Sequence, residues 1–213
     1  MNVERLAIPD VILLTPPRFR DPRGFFSETW NAPRFAAAGI PGPFVQDNHA
    51  VSTDRGVLRG LHCQIGPNAQ GKLVRVVRGS IWDVAVDVRR GSPTYGRHAG
   101  AVLSAENWQQ LWVPVGFLHG YCTLEQDTEV IYKVTAPYDK AAERGVIWND
   151  PALAIPWPIA AREVLLSDKD TVLPRLADCP DWFSFETGPR ECGLSVICLP
   201  RRRHGRSCVD HCV

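Results

Sequence analysis

Apolar and polar residues alternate with a period of two along much of the chain, in short runs punctuated by glycine and proline. Successive side chains of a strand point to opposite faces, so each such run predicts a strand. The runs are Asp10 to Leu14, Phe25 to Trp30, Phe44 to Val51, Val57 to Gln64, Lys72 to Val77, Ile81 to Val88, Gln109 to Val113, Phe117 to Leu124 and Thr128 to Val134. Before residue 160 only Ala32 to Ala38 reads as helix, and Gly39 and Pro41 end it. The prolines between Asp150 and Pro158 break the periodicity, which leaves room for one short helix at Ala160 to Val164. Many short strands with few short helices predict an all-β domain, a double-sheet jelly roll or small barrel.

The same alternation sorts polar residues by face. On the predicted strands Leu58, Gly60, His62 and Gln64 share one side, as do Lys72, Val74 and Val76, then Asp83, Ala85 and Asp87, then Val130, Tyr132 and Val134. An interior built from these faces holds His62, Lys72, Asp83, His119 and Tyr132 together. A buried polar group left unsatisfied costs about 1–3 kcal/mol. Five ionisable side chains on strand interiors are therefore read as a site rather than as isolated core polar groups.

Composition narrows the function classes. The formal net charge is +1, and through residue 178 the 19 Lys and Arg meet 19 Asp and Glu. No basic stripe appears there, so nucleic acid is not an expected partner. No apolar stretch approaches the roughly 18 to 20 residues that span a bilayer, and MNVERLAIPDVILL lacks the layout of a signal peptide. A cytoplasmic protein without a membrane partner is expected. Cys63 and Cys122 read as small buried thiols. Cys179, Cys192, Cys198, Cys208 and Cys212 crowd into the last 35 residues with His204 and His211. They lack the C-x2-C pairs of a zinc site and flank an arginine-rich run, Arg201 to Arg206. The expected organisation is one domain over 1–178 and a poorly ordered extension over 179–213.

Gly56-Val-Leu-Arg-Gly-Leu-His62, then Lys72 and Gly79, then Pro114-Val-Gly-Phe-Leu-His119, resemble the two motifs of a cupin barrel from which the metal site has been removed. Gln64 stands where the second His of the first motif would be, and Lys72 where its Glu would be. Metal ligands must be anionic or neutral lone-pair donors, so an ammonium there repels a divalent ion. No metal and no cofactor is expected. A histidine base beside a lysine suits removal of a proton next to a carbonyl, with the ammonium stabilising the enolate.

Longer runs carry a more specific resemblance. Asp21-Pro-Arg-Gly-Phe-Phe-Ser-Glu28, Phe44-Val-Gln-Asp-Asn48, Gly71-Lys-Leu-Val-Arg75, Asp83-Val-Ala-Val-Asp87, Val113-Pro-Val-Gly-Phe-Leu-His-Gly120, Trp148-Asn-Asp150 and Leu166-Ser-Asp-Lys-Asp170 are similar, in order over about residues 3 to 176, to the dTDP-4-dehydrorhamnose 3,5-epimerase family. That family consists of metal-free homodimeric cupins that invert C3 and C5 of a dTDP-4-keto-6-deoxy sugar in rhamnose biosynthesis. The resemblance makes His62 the base, Asp170 its partner, Lys72 the enolate stabiliser and Tyr132 the acid on the opposite face. It makes Arg23, Glu28, Gln46, Asn48, Arg59, Asp83, His119, Glu143 and Lys169 substrate contacts, and Tyr138 the residue that stacks on thymine. It also implies a homodimer, in which Arg23 and Glu28 complete the neighbour's site.

Two of these roles conflict with local pattern. Arg59 is out of phase with His62 unless the strand is bulged at Gly60 or ends at the barrel rim. Glu143 lies in what reads as an ordinary solvated loop. Three other functions stay open on the residues alone. They are inversion of C3 or C5 only, sugar-nucleotide binding without catalysis, and metal-dependent cupin chemistry. Binding needs no acid and base on opposite faces, and Gln64 and Lys72 weigh against a metal.

Overall fold

The alternating runs form strands in the structure, a computed structural model that describes residues 1–185. In chain order these are β1 (Asn2–Arg5), β2 (Ile12–Thr15), β3 (Phe19–Asp21), β4 (Gly24–Phe26), β5 (Gln46–Ser52), β6 (Leu58–Gln64), β7 (Lys72–Arg78), β8 (Ser80–Asp87), β9 (Arg89–Arg90), β10 (His98–Ser104), β11 (Gln110–Val113), β12 (Phe117–Thr123), β13 (Thr128–Val134), β14 (Glu143–Gly145) and β15 (Phe183–Ser184). The helices are α1 (Ala32–Ala37) and α2 (Asp168–Thr171). One sheet has the order β1-β2-β11-β7-β13-β5 and the other β10-β8-β12-β6-β14. They face each other as a jelly roll.

Val74, Val76, Leu111 and Val130 of the first sheet pack on Ile81, Ala85, Leu103 and Phe117 of the second. Full burial of such side chains stabilises by about 1.5–3 kcal/mol each. The outer face of the second sheet is apolar too. There Leu61, Cys63, Val84, Val86 and Leu118 meet Val146, Leu153 and Leu176, with Trp157, Trp182 and Phe183 against them. Burial on both faces explains why β12 is apolar or small at most positions instead of alternating cleanly. β15 pairs in parallel with β9, so the packed body continues past residue 178. Cys192, Cys198, Cys208 and Cys212 lie outside the described residues, as does the rest of the expected extension from 186 onward. No helix among the described residues is long and apolar enough to cross a membrane.

Several elements differ from the sequence pattern, among them β10, the β3–β4 hairpin and the turn at 160–164. β10 carries Gly100 and two alanines, which favour strands weakly, and it is a strand because it pairs with β8 along its length. A Cβ on Gly100 would stand 2.6 Å from the Asp83 carbonyl, so only glycine lets the strands lie this close. Of the run Phe25 to Trp30, only Phe25 and Phe26 are strand, in a hairpin with β3 that leaves Phe19, Phe25 and Phe26 exposed. The short helix at Ala160 to Val164 is a single 3-10 turn, Ala161–Glu163.

One irregularity positions the site. Across β6 and β12, His62 faces His119 but Arg59 faces Tyr121, so three steps on β6 match two on β12. The extra residue is a bulge at Gly60, whose φ of +139° lies in the range that favours glycine. It reverses the alternation, so Arg59 joins His62 and Gln64 on the inner face while Leu61 and Cys63 turn outward. A Cβ at Gly60 would lie 2.5 Å from the Gly120 Cα. Gly60→Ala is expected to destabilise the fold by about 2–5 kcal/mol, combining backbone strain with overpacking. Urea titration of the two proteins checks this, as a fall in the midpoint.

Candidate functional site

Between the sheets lies a cavity of about 790 Å³. His62 and His119 reach it from the second sheet, and Lys72 and Tyr132 from the first. Tyr132 pairs in register with Asn48 on one side and Val74 on the other, which places Gln46, Asn48, Tyr132 and Lys72 on one inner face.

His62 Nε2 donates to Asp170 Oδ1 at 2.6 Å. Asp170 reaches it from α2, a single turn started by Ser167, whose carbonyl accepts the Asp170 N–H. Asp170 is only 2% exposed. Burial opposes its ionisation, but the hydrogen bond and charge of His62 outweigh burial and hold the carboxyl below its ordinary range. An ionised Asp170 fixes the imidazole with its hydrogen on Nε2, leaving the Nδ1 lone pair free to accept a proton.

Lys72 and Tyr132 form the facing wall. Among the described residues the Lys72 ammonium makes no hydrogen bond or ion pair. Burial lowers its affinity for a proton, and the more distant charges of Asp83 and Glu143 restore only part of it. Burial pushes the Tyr132 phenol up, opposed by the Arg59 guanidinium. A base with a fixed tautomer on one wall, facing a phenol and an unspent ammonium on the other, can remove a proton from one face of a carbon and return one to the other face.

The neighbouring acids divide into support and structure. Asp83 Oδ1 accepts from His119 Nε2 at 2.6 Å and is fully buried behind it, so Asp83 does not itself line the cavity. Asp87, in phase with Asp83, is spent on Arg89, Ser92 and Thr94 and serves the fold. Arg59 lies against the cavity with one nitrogen donating to the Val51 carbonyl.

The segment that carries Tyr138 is pinned by two glutamines. Gln46 Oε1 accepts the Tyr138 N–H, and Gln64 Oε1 accepts the Asp139 N–H while its amide donates to the Asn68 and Pro137 carbonyls. Gln64 thus braces a loop at the position where a cupin would bind metal. Glu143, on β14 rather than in a loop, accepts from Lys169 Nζ at 2.8 Å and lies 3.4 Å from the Tyr138 hydroxyl. Gln46, Asn48, Arg59, His119, Tyr138, Glu143 and Lys169 all line the cavity with the four central residues.

Arg23 and Glu28 are not brought to the cavity of their own chain. Arg23 pairs with Asp21 on the exposed hairpin, and Glu28 with Arg34. Cys63 borders the cavity while its side chain packs in the outer apolar cluster, and burial pushes its thiol up to about 12, which leaves no thiolate for chemistry at neutral pH. Among the described residues no cluster of three or more His, Cys, Asp and Glu is arranged to hold a metal ion. Tyr121 is a residue that the sequence reading passed over. It shares the phase of His119, a signal that was available, yet an aromatic on a buried strand reads as core.

A family model described as dTDP-4-dehydrorhamnose 3,5-epimerase matches residues 5–178. The dTDP-4-dehydrorhamnose 3,5-epimerase of Shigella flexneri is 50% identical over 184 residues, covering 86% of this chain and 99% of that protein. That of Pseudomonas aeruginosa is 53% identical over 179 residues, covering 84% and 97%. A crystal structure of dTDP-6-deoxy-D-glucose-3,5-epimerase from Legionella pneumophila, in complex with dTDP-4-keto-L-rhamnose, superposes with a TM-score of 0.83 at 40% identity, covering 87% of this chain and 98% of that one.

Proposed function

Because the chain belongs to the dTDP-4-dehydrorhamnose 3,5-epimerase family, we propose that His62, Asp170, Lys72 and Tyr132 carry out its two inversions. The protein is an isomerase that converts dTDP-4-dehydro-6-deoxy-D-glucose to dTDP-4-dehydro-L-rhamnose. C3 and C5 both flank the C4 ketone, so a proton on either carbon is acidic only while the oxygen at C4 is stabilised as an enolate. His62 Nδ1 takes the proton, Asp170 holds the imidazolium, and Lys72 balances the charge on the enolate oxygen. Tyr132 then gives its proton to the opposite face of the same carbon. His62 then gives its proton to solvent and Tyr132 regains one from it, and repetition at the second carbon completes the product. The observation that carries this assignment is the 2.6 Å bond between His62 and the buried Asp170, set across the cavity from Lys72 and Tyr132.

Gln46, Asn48, Arg59, His119, Tyr138, Glu143 and Lys169 are assigned to substrate binding, the cations to the diphosphate and Tyr138 to the thymine ring. Tyr132→Phe tests the acid, with products resolved by NMR. Formation of singly and of doubly inverted sugar is expected to fall by about 100-fold or more. A wild-type protein that inverts only one carbon would replace this reading with the single-centre one.

The exposed hairpin favours a homodimer. Phe19, Phe25 and Phe26 lie bare beside Arg23, on a segment that serves no site in its own chain. In a dimer whose hairpins complete each other's cavities, the single variants Arg23→Ala and His62→Ala are both weak. Mixing them in solution should restore activity, because some sites then combine an intact hairpin with an intact His62. Unchanged low activity after subunit exchange would show that Arg23 acts elsewhere.

A further inference from the structure

Tyr121 carries a hydroxyl that packing does not explain. Its ring belongs to the main core, against which Tyr132 also packs, and the residue is 3% exposed. Among the described residues its hydroxyl has no partner of hydrogen-bond geometry, although the Arg59 guanidinium is near enough to oppose the effect of burial on it. Such a group costs about 1–3 kcal/mol, which phenylalanine would avoid while filling the same space. The surroundings narrow what the hydroxyl is for. Arg59 of β6 and Asp83 of β8 stand beside Tyr121 in register, and His119 lies two residues away on its own strand with ring centroids 6.2 Å apart. Asp83 is engaged by His119 and not by the phenol. Arg59 is paired with Tyr121 across β6 and β12 and lines the same cavity as Tyr121 and Tyr132.

We propose that Tyr121 is the positioning residue of the acid, holding its O–H for the phenolate that Tyr132 becomes once it has protonated carbon. This rests on the reading of Tyr132 given above. In that step the Tyr132 O–H bond breaks and its hydrogen forms the new C–H bond with the electron pair of the enolate. The negative charge is left on the Tyr132 oxygen. Tyr121 keeps its own proton and donates a hydrogen bond to that oxygen, while Arg59 supplies the countercharge. Burial pushes the Tyr121 phenol up, so it stays a donor while its neighbour is charged. A double inversion leaves charge on Tyr132 twice, and each time a buried donor lowers the barrier.

Tyr121→Phe in deuterated water separates this role from a structural one, with deuterium uptake and inversion at C3 and C5 followed together by NMR. Loss of a hydrogen bond to a charged group predicts inversion slowed about 10- to 100-fold. Uptake of deuterium is expected to fall much less, because His62 can remove and return a proton on its own face without Tyr132. The thermal midpoint should not fall, since the orphaned hydroxyl is gone. Equal losses of uptake and inversion, no change in either, or a variant that fails to fold would each overturn the proposal. If the wild-type protein neither exchanges nor inverts, the reading of the reaction fails instead.

Discussion

His62→Ala is expected to lower turnover about 10⁴-fold, the upper range for loss of a positioned general base. No other group can substitute. Lys72 stands on the opposite wall of the cavity from His62, His119 is bound through Nε2 to the buried Asp83, and the Cys63 thiol is held protonated by burial. Removing the imidazole also leaves Asp170 as a buried carboxylate without its partner, so its depressed affinity for protons would disappear. The sign of the linkage follows. Asp170 contributes stability that is present above the ordinary aspartate range and lost as pH falls through its lowered folded value, and His62→Ala should remove that contribution. Steady-state kinetics and acid titration of the two proteins check the two parts separately.

Lys72→Met is expected to cost about 10³-fold, because it keeps most of the side-chain volume and removes the charge proposed to meet the enolate. The effect should fall on kcat more than on KM, since the ketone of the ground state carries little charge. The wild-type pH profile carries a matching signature. Lys72 must be protonated to act, and burial lowers its affinity for a proton. Activity should therefore be lost, as pH rises, below the ordinary lysine value of about 10.4. Burial moves Tyr132 the other way, so Lys72 sets the alkaline limb. In Lys72→Met that limb should disappear from the residual activity. Persistence of the same limb in the variant would assign it to another group.

Much of this site is legible in the sequence because strand alternation is a rigid rule. His62, Lys72, His119 and Tyr132 fall on inner phases of four predicted strands, and all four line the cavity. The rule fails for Arg59, where one bulged residue at Gly60 reverses the phase. No propensity marks that bulge beyond the glycine itself. Asp170 could not be reached by alternation at all. It sits 108 residues from His62 in the chain, on a single helical turn, and only the family resemblance pointed to it. β10 was missed because its residues are small, and its strand character is imposed by β8. The exposed hairpin shows the opposite failure. The run Phe25 to Trp30 reads as one strand, but only its first two residues are strand and the single chain leaves both bare. Alternation records only that side chains face opposite ways, so it does not say whether either face is covered within one chain.

In the proposed reaction one base removes protons from two carbons through enolates at C4. Proton NMR of dTDP-4-dehydro-6-deoxy-D-glucose in deuterated water, with wild-type protein and with His62→Ala, tests it most directly. The expected result is deuterium at both C3 and C5 of the wild-type product and at neither carbon with His62→Ala. Product that keeps its original hydrogen at both carbons, or uptake in His62→Ala at the wild-type rate, would contradict it.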